Sequence, residues 1–533
     1  MEQENDPLLL EENTADTHNT KTNGQLGKSA KAITSYWSGT VSSWKRVLFG
    51  SHKSRAASQE VQAKLLENRD DNTVDDYDIG IYEDDNWYAD TTTRSRPSRL
   101  KRCMRYVFWF LCICIGVPLG LLLLIFIGYA LAFRPPPVTG PPSITALERT
   151  NLTQPARLLT YNIFMRPPGV KNNENDYKNE RLEHIIKTIL PRYDVITFQE
   201  AFAFGNHRVD QLIDAAQRLG FGYIMSPRHG PWELAADGGL LLLSRFPILQ
   251  ADILEYPRGL HSDWLSYKGA LHALIGLDRR MSLEGPPQEE YQTMVHIFTT
   301  HTQASYGKGG TRSQKDILMR LDQFARLHQF IYDTVTNVVY GKDGDHTSGD
   351  TGSDKASNVK SIPIIAMGDF NIDSVDHSAG SITDLPINSS MAYTMMMDVL
   401  QGNGIDGSYF STDDHSKNEL STSGGQQKWF EHDWRLSLTD KAYNTFGYHP
   451  VTFGDYYRTD NGTILPAETV LTHAEQVLTV QSIDQLLYSS SPVQSSPSTN
   501  LSLSNVTIVK FLVSGQPYTQ LSDHYGISCL LSL

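Results

Sequence analysis

The chain has 533 residues, a formal net charge of −14 and four cysteines; Cys103, Cys112 and Cys114 crowd one hydrophobic stretch, so neither a disulfide framework nor a thiolate metal cluster is available. The first 106 residues carry 15 basic and 17 acidic side chains, which leaves 31 basic and 43 acidic beyond them. Nucleic-acid affinity comes mainly from Lys and Arg against phosphates, so no nucleic-acid partner is expected, and any metal must take oxygen and nitrogen ligands.

Residues 1–102 are rich in Ser, Thr, Asn, Asp and Lys and poor in aliphatic runs. Such a segment buries too little apolar surface to offset its conformational entropy and reads as a disordered tail. Within it, Glu4 stands four residues before Leu8 and Leu9, the acidic-dileucine form that sorting adaptors read on the cytosolic side. Residues 107–133 then hold 27 consecutive positions without a charge, where about 20 suffice to cross a bilayer. A transmembrane helix is expected over 103–133, too far from the amino terminus for a cleaved signal peptide.

Orientation follows from the flanks. Arg94, Arg96, Arg99, Lys101, Arg102 and Arg105 precede the span with no acid among them, and Arg134 alone follows it. The positive-inside rule places the tail in the cytosol and the rest outside or in a lumen, a single-pass type II arrangement. Asn-x-Ser/Thr triplets begin at Asn151, Asn388, Asn461, Asn500 and Asn505, all beyond the span, and predict a glycoprotein. The compartments this admits are the plasma membrane, the Golgi and the endolysosomal membranes.

A Pro-rich stalk is expected over 134–155 and one catalytic domain over 156–533. Apolar runs at 157–162, 195–199, 239–244, 272–277, 296–300 and 362–367 read as buried strands, and 178–190, 208–219 and 311–334 show helical periodicity. The recurrence predicts an α/β sandwich with a central sheet. Segments 341–360 and 488–505, rich in Ser, Gly or Asp, read as surface insertions.

The chemistry-bearing side chains fall at the ends of these strands. Tyr161-Asn162 follows Leu158-Leu159, Gln199-Glu200 follows residues 195–198, Thr300-His301 follows residues 296–298, and Gly368-Asp369-Phe370-Asn371 follows residues 363–367. Ser482-Ile483-Asp484 and Ser522-Asp523-His524 come near the carboxyl terminus. Strands that stop along one edge bring such groups into one cleft. Each motif alone also fits an ordinary turn or capped loop; their order along one chain is the signal.

In that order, residues 159–162, 198–200, 368–371, 482–484 and 522–524 resemble the endonuclease/exonuclease/phosphatase superfamily over most of 157–533. Thr300-His301-Thr302-Gln303, Asp263 with Lys268, and Gly238-Gly239-Leu240 before Ser244-Arg245-Phe246-Pro247 are similar to its neutral sphingomyelinase branch. The resemblance implies an α/β fold, a four-layer α/β sandwich with two mixed sheets. It also implies Mg²⁺-dependent cleavage of sphingomyelin to ceramide and phosphocholine, with Mn²⁺ as the alternative ion. Glu200 with Asn162 would then serve the metal, His524 would be the general base and Asp484 would orient it. Asp369 and Asn371 would place the water and donate to phosphoryl oxygens, His301 would stabilise the developing charge, and Lys268 would approach the phosphate. Trp232, Trp264 and Tyr267 would lie at the bilayer interface, against a choline group or in the core. The alternatives are an inositol-phosphosphingolipid phospholipase C, a phosphoinositide phosphatase, a nuclease, or a non-enzymatic ectodomain.

Overall fold

The computed structural model describes residues 99–132, 152–229, 233, 235–281, 289–305, 314–340, 362–378, 380–406, 428–490 and 500–533, all within the unit Pro97–Leu533. The acidic-dileucine sequence, Arg94, Arg96, Arg134, most of the stalk, Asn151, Trp232 and segment 341–360 lie outside the described residues.

Helices α1 (Arg99–Leu111) and α2 (Val117–Ala132) are joined by a π-helical turn at Cys112–Gly116. Pro118 has no N–H to give to the carbonyl of Cys114, and a widened turn just before the ring absorbs the mismatch. Among the described residues this is the one helix long and apolar enough to cross a membrane, with its candidate span at Lys101–Tyr129.

The rest folds around two six-stranded sheets. The first has the order β13-β14-β1-β2-β4-β3: β1 is Ala156–Met165, β2 Val195–Ala201, β3 Gly222–Met225, β4 Leu241–Ser244, β13 Ser502–Val509 and β14 Gly526–Ser532. The second has the order β5-β6-β7-β8-β12-β9: β5 is Ile248–Glu255, β6 Gly269–Met281, β7 Glu289–His301, β8 Ile364–Asp369, β9 Thr439–Asp440 and β12 Asp484–Ser489. Strands β1 and β2 pair in parallel, as do β7 and β8, and the other pairs are antiparallel, so both sheets are mixed, while β10 (Tyr456–Arg458) and β11 (Ile464–Pro466) form a separate two-stranded ribbon.

Three apolar clusters define the layers. One fills the gallery between the sheets with Leu158, Val195, Leu242, Ile275, Ile297, Ile365, Leu486 and Ile527. A second lies behind the first sheet, under helices α3 (Lys178–His184) and α4 (Arg208–Arg218). The third lies behind the second sheet, under α5 (Gln314–Tyr340) and α6 (Met391–Leu400). The order helix, sheet, sheet, helix is the four-layer sandwich, and it corrects the single central sheet read from periodicity alone.

Segment 488–505 is strand at both ends, and its residues 491–499 lie outside the described residues. Tyr488 and Ser489 close β12, and Ser502 to Val509 is an edge strand that drops Leu503 and Val506 into the core while Ser502 and Ser504 face water. Its serine content reflects one solvated face.

Candidate active site

Strand parity places the functional side chains. In β1, Ala156 and Leu158 face the gallery while Leu159, Tyr161 and Ile163 face the helices, so Asn162 points into the gallery. By the same alternation Gln199 of β2, His301 of β7 (after Val295 and Ile297), Asp369 of β8 (after Ile365 and Met367) and Asp484 of β12 (before Leu486) face inward. Parity would send Glu200 toward the helices with Phe198. Its left-handed backbone, φ 55°, breaks the alternation and turns it back toward Asn162. Gly368 has φ 146°, and a Cβ there would stand 2.2 Å from Thr300 O, so only glycine lets β8 lie this close to β7.

Asn162 sits at the centre. Its Nδ2 donates to Asp369 Oδ2 at 3.0 Å and Glu200 Oε1 at 3.3 Å and lies 3.4 Å from His524 Nε2, while Oδ1 accepts the Phe164 N–H at 3.0 Å. His524 Nδ1 meets Asp484 Oδ2 at 2.9 Å, which leaves Nε2 toward the cleft, 3.9 Å from Asp369 Oδ2. His301 Nε2 is 3.6 Å from the same oxygen. Asn371, at φ 49°, donates its N–H to Asp369 Oδ1 and its Nδ2 to Thr302 O. Lys268 Nζ bonds Thr302 O at 2.8 Å and Asp263 Oδ2 at 2.9 Å, and Asp263 also accepts the Ala304 N–H. Thr452 joins the halves: its Oγ1 accepts the N–H groups of Ile483 and Asp484, and its carbonyl accepts that of Tyr525.

These groups line a cleft of about 520 Å³ whose wall includes Glu200, Lys268, His301, Asp369, Asn371 and His524. A larger depression of about 860 Å³, lined by Arg157, Arg192 and Arg245 at the other end of β1 and β2, holds none of them.

Burial and charge set the protonation states. Burial alone would lower His524, but the carboxylates of Asp484, Asp369 and Asp523 outweigh it and push its pKa up to about 10. Asp369 is raised by burial and by the charge of Asp484. Asp523 is raised by burial, against the charge of His524. His301 is held well below the ordinary imidazole value by burial, with Lys268 and His524 adding to the effect, and stays neutral.

Two places suit a cation. Asp369, Asp484 and His524 bring one ligand atom each within 4.8 Å of one another, but His524 Nδ1 is already bonded to Asp484 there. At Glu200, Oε2 is buried without a hydrogen-bond partner, and its hard oxygen fits Mg²⁺. The residues present therefore fit the ion at Glu200, with Asn162 orienting that carboxylate through its amide nitrogen.

Of the eight residues singled out from the sequence for catalysis or metal binding, six line this cleft, and Asn162 and Asp484 are buried against it, bonded to Asp369 and His524. Asp484 and His524 come at the start of antiparallel strands rather than at strand ends, because β12 and β14 begin where β1, β2, β7 and β8 finish. Trp264, 52% exposed, and Leu265, 53% exposed, stand at the rim, so Trp264 is not a core residue. Tyr267 stacks on His229 at 3.8 Å and under Arg258 at 4.5 Å. Unforeseen were Arg166, whose Nε lies 3.9 Å from Glu200 Oε2, Thr452, and the buried Arg181. Only the place of Arg166, four residues after Asn162, hinted at a role.

The model of the Endonuclease/Exonuclease/phosphatase family matches residues 159–524. A sphingomyelinase of Dictyostelium discoideum is 25% identical over 510 residues, spanning 72% of this chain and all of that protein. Among solved structures, sphingomyelinase C from Streptomyces griseocarneus aligns over 71% of this chain and 99% of its own at 17% identity and a TM-score of 0.38. A beta toxin of Staphylococcus aureus aligns over 70% and 99% at 16% identity and a TM-score of 0.40.

Proposed function

The chain belongs to the endonuclease/exonuclease/phosphatase family, in its sphingomyelinase-like branch of phosphodiesterases, and from that premise we propose that it cleaves sphingomyelin to ceramide and phosphocholine. The observation that carries the hydrolytic chemistry is the buried run Asp484, His524, Asn162, Asp369 beside one cleft. Similarity along the whole Dictyostelium sphingomyelinase supports the lipid.

Hydrolysis needs a positioned water, a proton acceptor and neutralised phosphoryl charge. Asp484 holds His524 Nδ1, so Nε2 is the nitrogen that would take the water proton once the imidazole is neutral. Asn162 keeps Asp369 beside it, and Asn371 fixes the other oxygen of that carboxylate, so Asp369 orients the attacking water. Neutral His301 and the Lys268 ammonium present positive edges to the phosphoryl oxygens. Glu200, with Asn162 behind it, would hold a divalent cation, Mg²⁺ by the hardness of its oxygen. When bound, that ion would neutralise phosphoryl charge and offset the acidic field that keeps His524 protonated. A second assignment, Asp369 as proton acceptor facing an imidazolium, is favoured by the raised pKa of His524.

We place the catalytic domain outside or in a lumen. The basic residues before the span support this, as do the exposed positions of Asn388, Asn461, Asn500 and Asn505. The exposed Trp264 and Leu265 beside the cleft suit a lipid surface.

The test uses the full chain in detergent with mixed micelles of sphingomyelin, phosphatidylcholine or phosphoinositides, with Mg²⁺ or EDTA, beside His524→Ala. Phosphocholine released from sphingomyelin, abolished by EDTA and by the substitution, is the expected result. Release from another lipid alone keeps the chemistry and overturns the substrate; silence on all of them overturns both.

A further inference from the structure

Arg181 is fully buried, yet its guanidinium pairs with no carboxylate among the described residues. Its donors go to backbone carbonyls instead: Nε to Asp176 O at 2.7 Å, Nη1 to Ile163 O at 2.9 Å and Leu521 O at 2.8 Å, and Nη2 to Phe164 O at 2.7 Å. These acceptors belong to three separate segments. Ile163 and Phe164 directly follow Asn162. Leu521 directly precedes Ser522-Asp523-His524. Asp176 closes the loop that carries Val170 and Asn172 along the cleft wall.

The need for such a bridge lies in the sheet. Strands β1 and β14 are paired from Ala156↔Leu531 to Thr160↔Ile527, and there the ladder stops. Beyond it the two segments part to carry Asn162 and His524, and among the described residues no ladder between them fixes their separation. Arg181 spans this gap. Its hold on Phe164 matters doubly. Phe164 has φ 52°, and its N–H fixes Asn162 Oδ1, the contact that turns Nδ2 toward Asp369 and Glu200. A lysine could not replace it, because one ammonium cannot reach acceptors spread around a planar fork.

The geometry points to Arg181 as a positioning residue that sets the distance between Asn162 and His524 and so governs kcat rather than lipid binding. This rests on the reading that those two residues act in phosphodiester hydrolysis. Arg181 touches no substrate; it acts through the backbone on either side of residues that do.

The experiment compares Arg181→Lys with Ile213→Ala, a truncation in the same apolar layer behind the first sheet, in the full chain in detergent. Melting temperature, kcat, KM for sphingomyelin micelles and the Mg²⁺ half-saturation are measured well below both melting points. The expected result is a kcat lower by about 10²-fold in Arg181→Lys with KM changed little, while Ile213→Ala loses thermal stability but keeps kcat. Wild-type kcat in folded Arg181→Lys overturns the proposal. If that variant does not melt cooperatively, Arg181→Gln takes its place under the same criterion. Failure of both to fold overturns it too, since Arg181 would then hold the fold rather than the site. A wild-type chain inactive on sphingomyelin instead sinks the functional reading, and the same comparison then runs on bis(4-nitrophenyl) phosphate.

Discussion

Acidification should destabilise this domain through one buried pair of histidines remote from the cleft. His272 Nδ1 donates to Asp252 Oδ2 at 2.9 Å, so neutral His272 offers Nε2 as acceptor to the Nδ1–H of His296, also at 2.9 Å. His296 Nε2 is then a bare lone pair, buried without a partner against Phe298. Protonating it would put a charge where nothing receives it, and burial accordingly holds His296 well below the ordinary value, with His272 lowered as well. Unfolded, His296 titrates near 6.5, so its contribution is complete above that pH and is lost as pH falls toward the folded value. From about 6.5 down to pH 5, linkage caps the loss at ~1.4 kcal/mol per pH unit, about 2 kcal/mol in all. Urea unfolding of wild type and His296→Gln at pH 7 and pH 5, in EDTA, reads this as a difference of differences. Wild type should lose more than the variant over the interval, by up to about 2 kcal/mol. Equal losses would refute the reasoning, whatever other histidines contribute.

Three further outcomes are expected. Asp484→Asn keeps the shape of the His524 contact but removes its charge; phosphocholine release should fall roughly 10²–10⁴-fold in kcat with little change in KM. Gly368→Ala must place a methyl 2.2 Å from Thr300 O at φ 146°, and thermal or urea unfolding should show a loss of about 2–5 kcal/mol. Lys268→Met strands the buried Asp263 carboxylate and should cost about 3–5 kcal/mol; adding Asp263→Leu should return part of it, and a double-mutant cycle without coupling would contradict the pairing.

Much of the site was legible because it rides on strands whose apolar residues announce them. Val195 to Phe198 and Ile364 to Met367 leave Glu200 and Asp369 just past the point where the apolar run ends. What the sequence concealed were links made through backbone. Arg181 reads as one more charge in an amphipathic helix, since its acceptors are carbonyls of residues 17, 18 and 340 positions away, which have no side-chain signature. The carboxyl-terminal strands were also obscure. β13 alternates serine with leucine on a sheet edge, where one solvated face gives the composition of a loop.

The cleft has one bank on each sheet. Asn162, Glu200 and His524 come with the first sheet, and His301, Asp369 and Asp484 with the second, joined near the site through Thr452 and the Asn162–Asp369, His524–Asp484 and Gln199–Thr299 hydrogen bonds, and elsewhere largely by apolar packing in the gallery. Activity is therefore a gauge of how the sheets are docked. A slide of one residue repeat, about 3.3 Å, would leave every strand hydrogen bond intact and carry Asp369 out of reach of Asn162. Activity in such a molecule depends on how the two sheets dock as well as on whether each one is folded.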